Sequence, residues 1–185
     1  MAGPLVAAAV VLPASAGSDL RRLRAVLAGV RDSKLLAPEQ RAALVPVIHS
    51  VAEAVAIGIV DVEELDVVGV GAANRLAMER AVLNLTSDVD ALLIDAGVLE
   101  LGAPQVGLID GDARCLSIAA ASIIAKVARD GMMVACHGID PRYGFADHKG
   151  YCTPTHLAAL AACGPGPWHR RSFAPVARSA AGRFR

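Results

Sequence analysis

The sequence predicts an α/β fold, and three observations carry that prediction. The chain has 185 residues, of which 55% are hydrophobic and only 3% aromatic, so Ala, Val, Leu and Ile must fill the core. Short Val-rich runs alternate with longer Ala- and Leu-rich stretches of helical spacing, the alternation expected of strands and helices in one layered domain. A chain of this length buries roughly 70% of the surface that it exposes when unfolded, enough for one substantial core. The expectation is one domain over residues 1–185, with residues 168–185 as a basic, flexible tail.

Residues 4–12 read as a strand with Val and Ala on both faces, a turn follows over 13–18, and residues 21–31 form a basic stretch. A polar break, Asp32-Ser33-Lys34, precedes Pro38, which sits where a first helical residue is favoured, and Ala42, Leu44, Val45, Val47 and Ile48 continue that helix. Residues 54–60 read as a strand and 62–85 as helical. Residues 89–94 form a strand that ends on Asp95, and 106–109 a shorter one that runs into Asp110-Gly111-Asp112. Helical spacing returns over 117–130, residues 138–150 read as loop, and 154–163 form a last helix.

Several function classes are excluded early. The longest apolar run, residues 4–14, is eleven residues, short of the roughly 18 needed to span a bilayer. Without a preceding basic residue it also makes a poor signal peptide. Cys115, Cys136, Cys152 and Cys163 show no CxxC pairing, and reduced thiols in a cytoplasm are the expectation. The net charge is zero but unevenly placed: residues 1–100 hold 8 Lys and Arg against 13 Asp and Glu, and residues 101–185 hold 10 against 5. A half at +5 suits a polyanionic partner, and solvated surface charge explains it equally well.

Asp95 and Asp112 both follow short strands, where ligands bind in open α/β sheets. Two carboxylates at adjacent strand ends suit Mg²⁺, which takes hard oxygen ligands at about 2.1 Å; a turn residue or helix cap is the alternative reading. Gly69-Val-Gly71 lacks the third glycine and the leading strand of a dinucleotide loop and reads as a loop entering a helix. It leaves a small-metabolite enzyme as a remote alternative. His156 and His169 have no partner at metal-ligand spacing and read as surface or capping residues.

Longer strings go further. Ser117-Ile-Ala-Ala-Ala-Ser-Ile-Ile-Ala-Lys-Val-Ala-Arg-Asp130, Tyr143-Gly-Phe-Ala-Asp-His-Lys-Gly-Tyr151 and His169-Arg-Arg-Ser-Phe-Ala-Pro-Val176 resemble, in order, three signatures of the ribonuclease HII family. Asp32-Ser33-Lys34 resembles that family's DSK element, Leu93-Ile94-Asp95 its third catalytic aspartate, Gly111-Asp112 its fourth, and residues 2–12 its second strand. The resemblance implies a ribonuclease H-like fold with a mixed central β-sheet flanked by helices. It implies an endoribonuclease that hydrolyses RNA in RNA/DNA hybrids and at ribonucleotides in duplex DNA, by a two-metal mechanism using Mn²⁺ or Mg²⁺. Asp95 and Asp112 would be metal ligands and Tyr151 would stack on the sugar where RNA meets DNA. Ser33, Lys34, Ser122, Lys126, Arg129 and Lys149 would contact phosphates. A cytoplasmic monomer without membrane association is implied as well.

The chain departs from that pattern in two places. The family's Asp-Glu-x-Gly-Arg-Gly segment, which carries two further carboxylates on the sheet's first strand, is not in the sequence. The expectation is therefore a missing first strand, little cleavage by these 185 residues, and in-frame codons for that segment upstream of Met1. A catalytically incomplete hybrid-binding protein is the alternative. The second departure is Asp110, where the family carries Lys or an uncharged residue, and which could either supplement or disturb the acids beside it.

Overall fold

The computed structural model describes residues 1–14 and 16–182. The chain divides into two compact units, one made of Val6–Gly58 and Arg75–Val127 and the other of Met1–Leu5, Ile59–Asn74 and the residues from Ala128 onward.

β1 (Leu5–Val11) pairs with β2 (Ala54–Val60), most of both strands belonging to the first unit, where β3 (Leu92–Asp95) also lies parallel to β4 (Gln105–Leu108). All four strands lie where the sequence places them, and the α/β class holds. Among the described residues they form two two-stranded sheets instead of one continuous mixed sheet, so each strand has a single strand neighbour. Helices α1 (Gly17–Val26), α2 (Pro38–Val51) and the start of α6 (Leu116–Ile139) enclose a core of Leu27, Ile48, Ala120 and Ile123, which Val10, Val55 and Ile57 of the strands join. The basic stretch is mostly helical: α1 buries only Leu23 and leaves its arginines in solvent, so its apolar period is too thin to read.

A second cluster joins Leu92, Ile94 and Leu99 to Met78 and Val82 of α4 (Val70–Leu83). Parallel strands ordinarily need a crossover of a dozen or more residues, whereas only residues 96–104 separate β3 from β4. Gln105 holds this short return together. Its side chain accepts from the Leu99 N–H at 2.7 Å and donates to the Leu99 and Leu101 carbonyls at 2.9 and 3.1 Å.

In the second unit, α3 (Val62–Val68) starts where the Asp61 carboxylate accepts from the Glu64 N–H at 2.8 Å and stops at Gly69, whose φ is +80°. The segment expected as loop contains α7 (Phe145–His148), and α8 (Pro154–Cys163) has the expected bounds. Met133, Tyr143, Phe145, Leu160 and Val176 are buried here. Of the residues read as a flexible tail, those through 182 are described, and residues 183–185 lie outside the described ones. His169 and Arg170 are buried, α9 (Ala174–Ala180) follows, and the Asp66 carboxylate accepts from the Arg171 and Ser172 N–H groups at 2.6 and 3.0 Å. Composition suggested a solvated basic end. The Arg170 side chain instead donates to the Gly3 and Pro4 carbonyls at 2.9 and 3.2 Å.

Gly58 of β2 shows how closely α4 lies on that strand: a Cβ there would stand 2.0 Å from the Ala77 carbonyl oxygen and 2.4 Å from the Ala81 nitrogen. Both neighbours are helix backbone and cannot step aside. Gly58→Ala should cost about 1–3 kcal/mol, read as a fall in melting temperature of roughly 2–4 °C per kcal/mol. Gly131→Ala, in α6 with nothing within 4 Å of the new Cβ, should raise it slightly, since Ala is favoured over Gly in a helix by about 1 kcal/mol. Equal melting temperatures for the two variants would contradict the packing described.

Candidate active site

The Asp32-Ser33-Lys34 break forms a short 3₁₀ turn over Ser33–Leu35. The Asp32 carboxylate accepts from the Lys34 N–H at 2.9 Å, and this bond is the main reason that its carboxyl titrates below the usual range. Arg41 of α2, itself buried, donates to the Ser33 and Leu36 carbonyls at 2.9 and 2.6 Å and clamps the turn from behind. Sequence reasoning missed Arg41, because an arginine in the second turn of an amphipathic helix reads as a solvated charge. Ser33 is buried, and its hydroxyl lies 2.7 Å from that of Ser122 on α6.

The turn aims Lys34 at Asp112. Its Nζ donates to Asp112 Oδ2 at 3.0 Å, and that bond leads the causes that hold the ammonium above its usual pKa, with Asp32 and Asp95 adding attraction. Asp112 belongs to α5 (Gly111–Arg114) and is 7% exposed. Asp95, at the end of β3, accepts the Gly111 N–H on Oδ1 at 3.0 Å, so one backbone amide links the strand that carries the first acid to the helix that carries the second. Asp110 takes a left-handed conformation, φ 53° and ψ 42°, as the residue before α5, and its exposed side chain makes no capping bond. Asp is one of the few residues that tolerates this geometry. A cavity of about 300 Å³ beside Asp112 is lined also by Arg24, Arg31 and Arg114. The basic stretch of the sequence thus contributes two guanidiniums next to a buried carboxylate.

The first unit therefore brings together Ser33, Lys34, Asp95, Asp112 and Ser122, with Lys126 half-buried one turn further along α6. The second unit holds the other three expected residues. Tyr151 is 54% exposed, and the Arg129 guanidinium lies 5.1 Å from its ring centre. Arg129 donates to the carbonyls of Ala2, Pro4 and Lys149 at 3.2, 3.3 and 3.0 Å, so its fork fastens backbone beneath Tyr151. Lys149, in a left-handed conformation with φ 50°, turns its ammonium onto the Ala146 carbonyl.

His156 and His169 are the largest correction to the sequence reading. Both are buried, 0% and 1% exposed, with their Nε2 atoms 3.0 Å apart, and His148 stacks on His156 at 4.3 Å. The available signal was their clustering: four of the five histidines fall within residues 137–169.

Residues 1–176 match the family model described as Ribonuclease HII. Proteins named Ribonuclease HII from Chloroflexus aurantiacus and Roseiflexus castenholzii are 50% identical over 176 residues and 49% identical over 185. These matches cover 95% and 100% of this chain and 81% of each relative. The crystal structure of the ribonuclease H2 from Pyrococcus horikoshii OT3 matches with a TM-score of 0.77 at 22% identity, over 98% of this chain and 92% of that one. The last likeness is one of fold.

The buried histidines give the protein an acid-sensitive point. Burial is the main cause that pushes both His156 and His169 down to about 4 from 6.5. Between about pH 4 and 6.5 the unfolded chain binds more protons than the folded one, so stability rises with pH across that window. It is fully present above pH 6.5 and drains away as pH falls toward 4. The melting temperature at pH 5 should lie roughly 5 °C or more below that at pH 7, and His156→Asn should flatten the difference. A melting temperature that does not change between these pH values would contradict neutral, buried imidazoles.

Proposed function

The chain belongs to the ribonuclease HII family, the type 2 ribonuclease H enzymes, and from that premise we propose that it acts on RNA/DNA hybrids and on duplex DNA containing ribonucleotides. The reaction is hydrolysis of the phosphodiester on the 5′ side of a ribonucleotide, with divalent metal. The observation that carries this reading is the Asp95–Gly111–Asp112 linkage with Lys34 on Asp112 at 3.0 Å: one hard carboxylate at the end of β3 and a second, paired with an ammonium, on the helix that follows the neighbouring parallel strand.

The donor set fits Mg²⁺ or Mn²⁺, since both acids offer oxygen and the Lys34 ammonium already marks the Asp112 carboxylate as a position that attracts a cation. A divalent ion on Asp95 and Asp112 would polarise the scissile phosphate and lower the pKa of the attacking water. The remaining steps fall to side chains. Lys34 stays protonated across the working range and supplies positive charge to a phosphate oxygen. Ser33 and Ser122 share one hydroxyl hydrogen bond, and whichever hydroxyl accepts it keeps its own proton free to donate outward. Lys126 adds charge from α6. In the second unit Tyr151 offers an exposed ring for stacking on the sugar, backed by Arg129.

A second reading, hybrid binding without cleavage, is favoured by one observation. Among the described residues no three of His, Cys, Asp and Glu gather to hold a metal. Two divalent ions bring four positive charges against two carboxylates and one phosphate. The two readings separate on a labelled duplex containing one ribonucleotide. The 185-residue chain should bind it and show little cleavage with Mg²⁺ or Mn²⁺. The same chain preceded by an Asp-Glu-x-Gly-Arg-Gly segment should cut it, and there Asp95→Asn or Asp112→Asn should each lower turnover about a hundredfold or more with binding retained. Near-normal turnover in either variant would remove that residue from the metal site. Efficient cutting by the unextended chain would reject the binding-only reading.

A further inference from the structure

We propose that His156 and His169 are positioning residues that set Tyr151 for the RNA–DNA junction, through a one-way relay of hydrogen bonds running from the Gly166 N–H to the Tyr151 carbonyl. The proposal rests on the reading of Tyr151 as the ring that stacks on substrate.

The two ends of the relay fix its direction. A backbone N–H can only donate, and that of Gly166 meets His169 Nδ1 at 3.0 Å, so the proton of a neutral His169 resides on Nε2. His169 Nε2 faces His156 Nε2 at 3.0 Å, which must then accept, leaving the His156 proton on Nδ1. His156 Nδ1 lies 2.8 Å from the Tyr151 carbonyl oxygen, which can only accept. No other pair of neutral tautomers satisfies all three contacts. His148 is locked in the same manner. Its Nδ1 accepts the Gly150 N–H at 3.2 Å and its Nε2 donates to the Tyr143 carbonyl at 2.7 Å, while its ring stacks on His156 with only 9° between the planes.

Residues 151–153 belong to no helix or strand, so no ladder holds the Tyr151 backbone. The Tyr151 N–H donates to the His148 carbonyl at 2.9 Å, and its own carbonyl accepts from the Thr153 N–H at 2.9 Å as well as from His156. Leu or Phe would fill the buried volume occupied by His156 and His169, but neither could donate to that carbonyl. The relay thus runs from imidazoles at 0% and 1% exposure to a tyrosine that is 54% exposed.

The test uses the full chain and two fluorescein-labelled duplexes, one all DNA and one with a single ribonucleotide, and reads the ratio of their Kd values. Tyr151→Ala should reduce the preference for the ribonucleotide duplex by about tenfold, from lost stacking. His156→Leu, checked for folding by circular dichroism, should lose as much. His156→Asn, whose amide nitrogen stands near the position of Nδ1, should keep the preference to within about threefold. Combining Tyr151→Ala with His156→Leu should cost no more than Tyr151→Ala alone, because both remove one interaction. Should His156→Leu fold and keep the preference while Tyr151→Ala loses it, the relay is overturned and the stacking reading stands. The relay also falls if Asn rescues no better than Leu. If Tyr151→Ala keeps the preference, or the unaltered chain has none, both fall. Should His156→Leu fail to fold, nitrogen-15 spectra of the unaltered protein decide the matter. The relay requires the Nδ1–H tautomer at His156 and Nε2–H at His169, and the opposite assignment at either ring would overturn it.

Discussion

A buried carboxylate needs a cation within hydrogen-bonding reach, and the first unit is arranged around meeting that need at Asp112. Its side chain is 7% exposed, and an unpaired charge so placed costs several kcal/mol. Lys34 answers it at 3.0 Å, but a lysine side chain that is 75% exposed is a screened and floppy partner, worth little unless its backbone is held. The surrounding residues hold it. Asp32 caps the turn through the Lys34 N–H, Arg41 grips the Ser33 and Leu36 carbonyls, and the Ser33 hydroxyl meets Ser122. Three separate stretches of chain therefore converge on one charge, and the same convergence aligns the hydroxyls and the ammonium that a phosphate would need.

The pairing of the two acids has a separate cause in the parallel register of β3 and β4. Asp95 stands opposite Leu108, so the chain leaving β4 needs only three residues to bring the Gly111 N–H to the Asp95 carboxylate. That register depends on a connection too short for a crossover helix, closed by the Gln105 side chain and by the direct approach of Gly107 to Gly97. A Cβ on Gly107 would stand 2.2 Å from the Gly97 carbonyl oxygen. A side chain at position 107 would push the loop outward and with it the strand end that bears Asp95. Substitution there would damage the site without touching either acid.

Periodicity and punctuation made the strands legible: β2 and α8 have the bounds that the residues suggest, and Asp95 falls at its strand end. Where the polar partner is a backbone carbonyl or amide, the residues carry no sign of it. Arg41 looks like a surface charge because its acceptors, Ser33 and Leu36, are backbone carbonyls that carry no signature. The bonds of the Arg129 fork leave no trace either, because the carbonyls of Ala2 and Pro4 that it meets lie at the other end of the chain. Residues 168–182 looked like a solvated tail because composition counts arginines without showing that Arg170 has carbonyl partners and Asp66 has amide donors awaiting it.

The two units resolve the same physical difficulty, polar atoms out of water, in opposite ways. Around Asp112 the solution is ionic: a full charge is matched by a full charge, and the pair remains reachable by solvent, salt and substrate. Around His156 the solution is neutral: burial keeps both imidazoles uncharged, and each ring uses its single proton to satisfy the next acceptor. The difference suits what each holds. A group proposed to exchange partners with phosphate and metal would benefit from a long, exposed lysine. A loop that must present one ring in one orientation is served better by rigid rings with two fixed contacts each, because an imidazole loses little rotamer freedom on burial and its tautomer leaves no alternative partner.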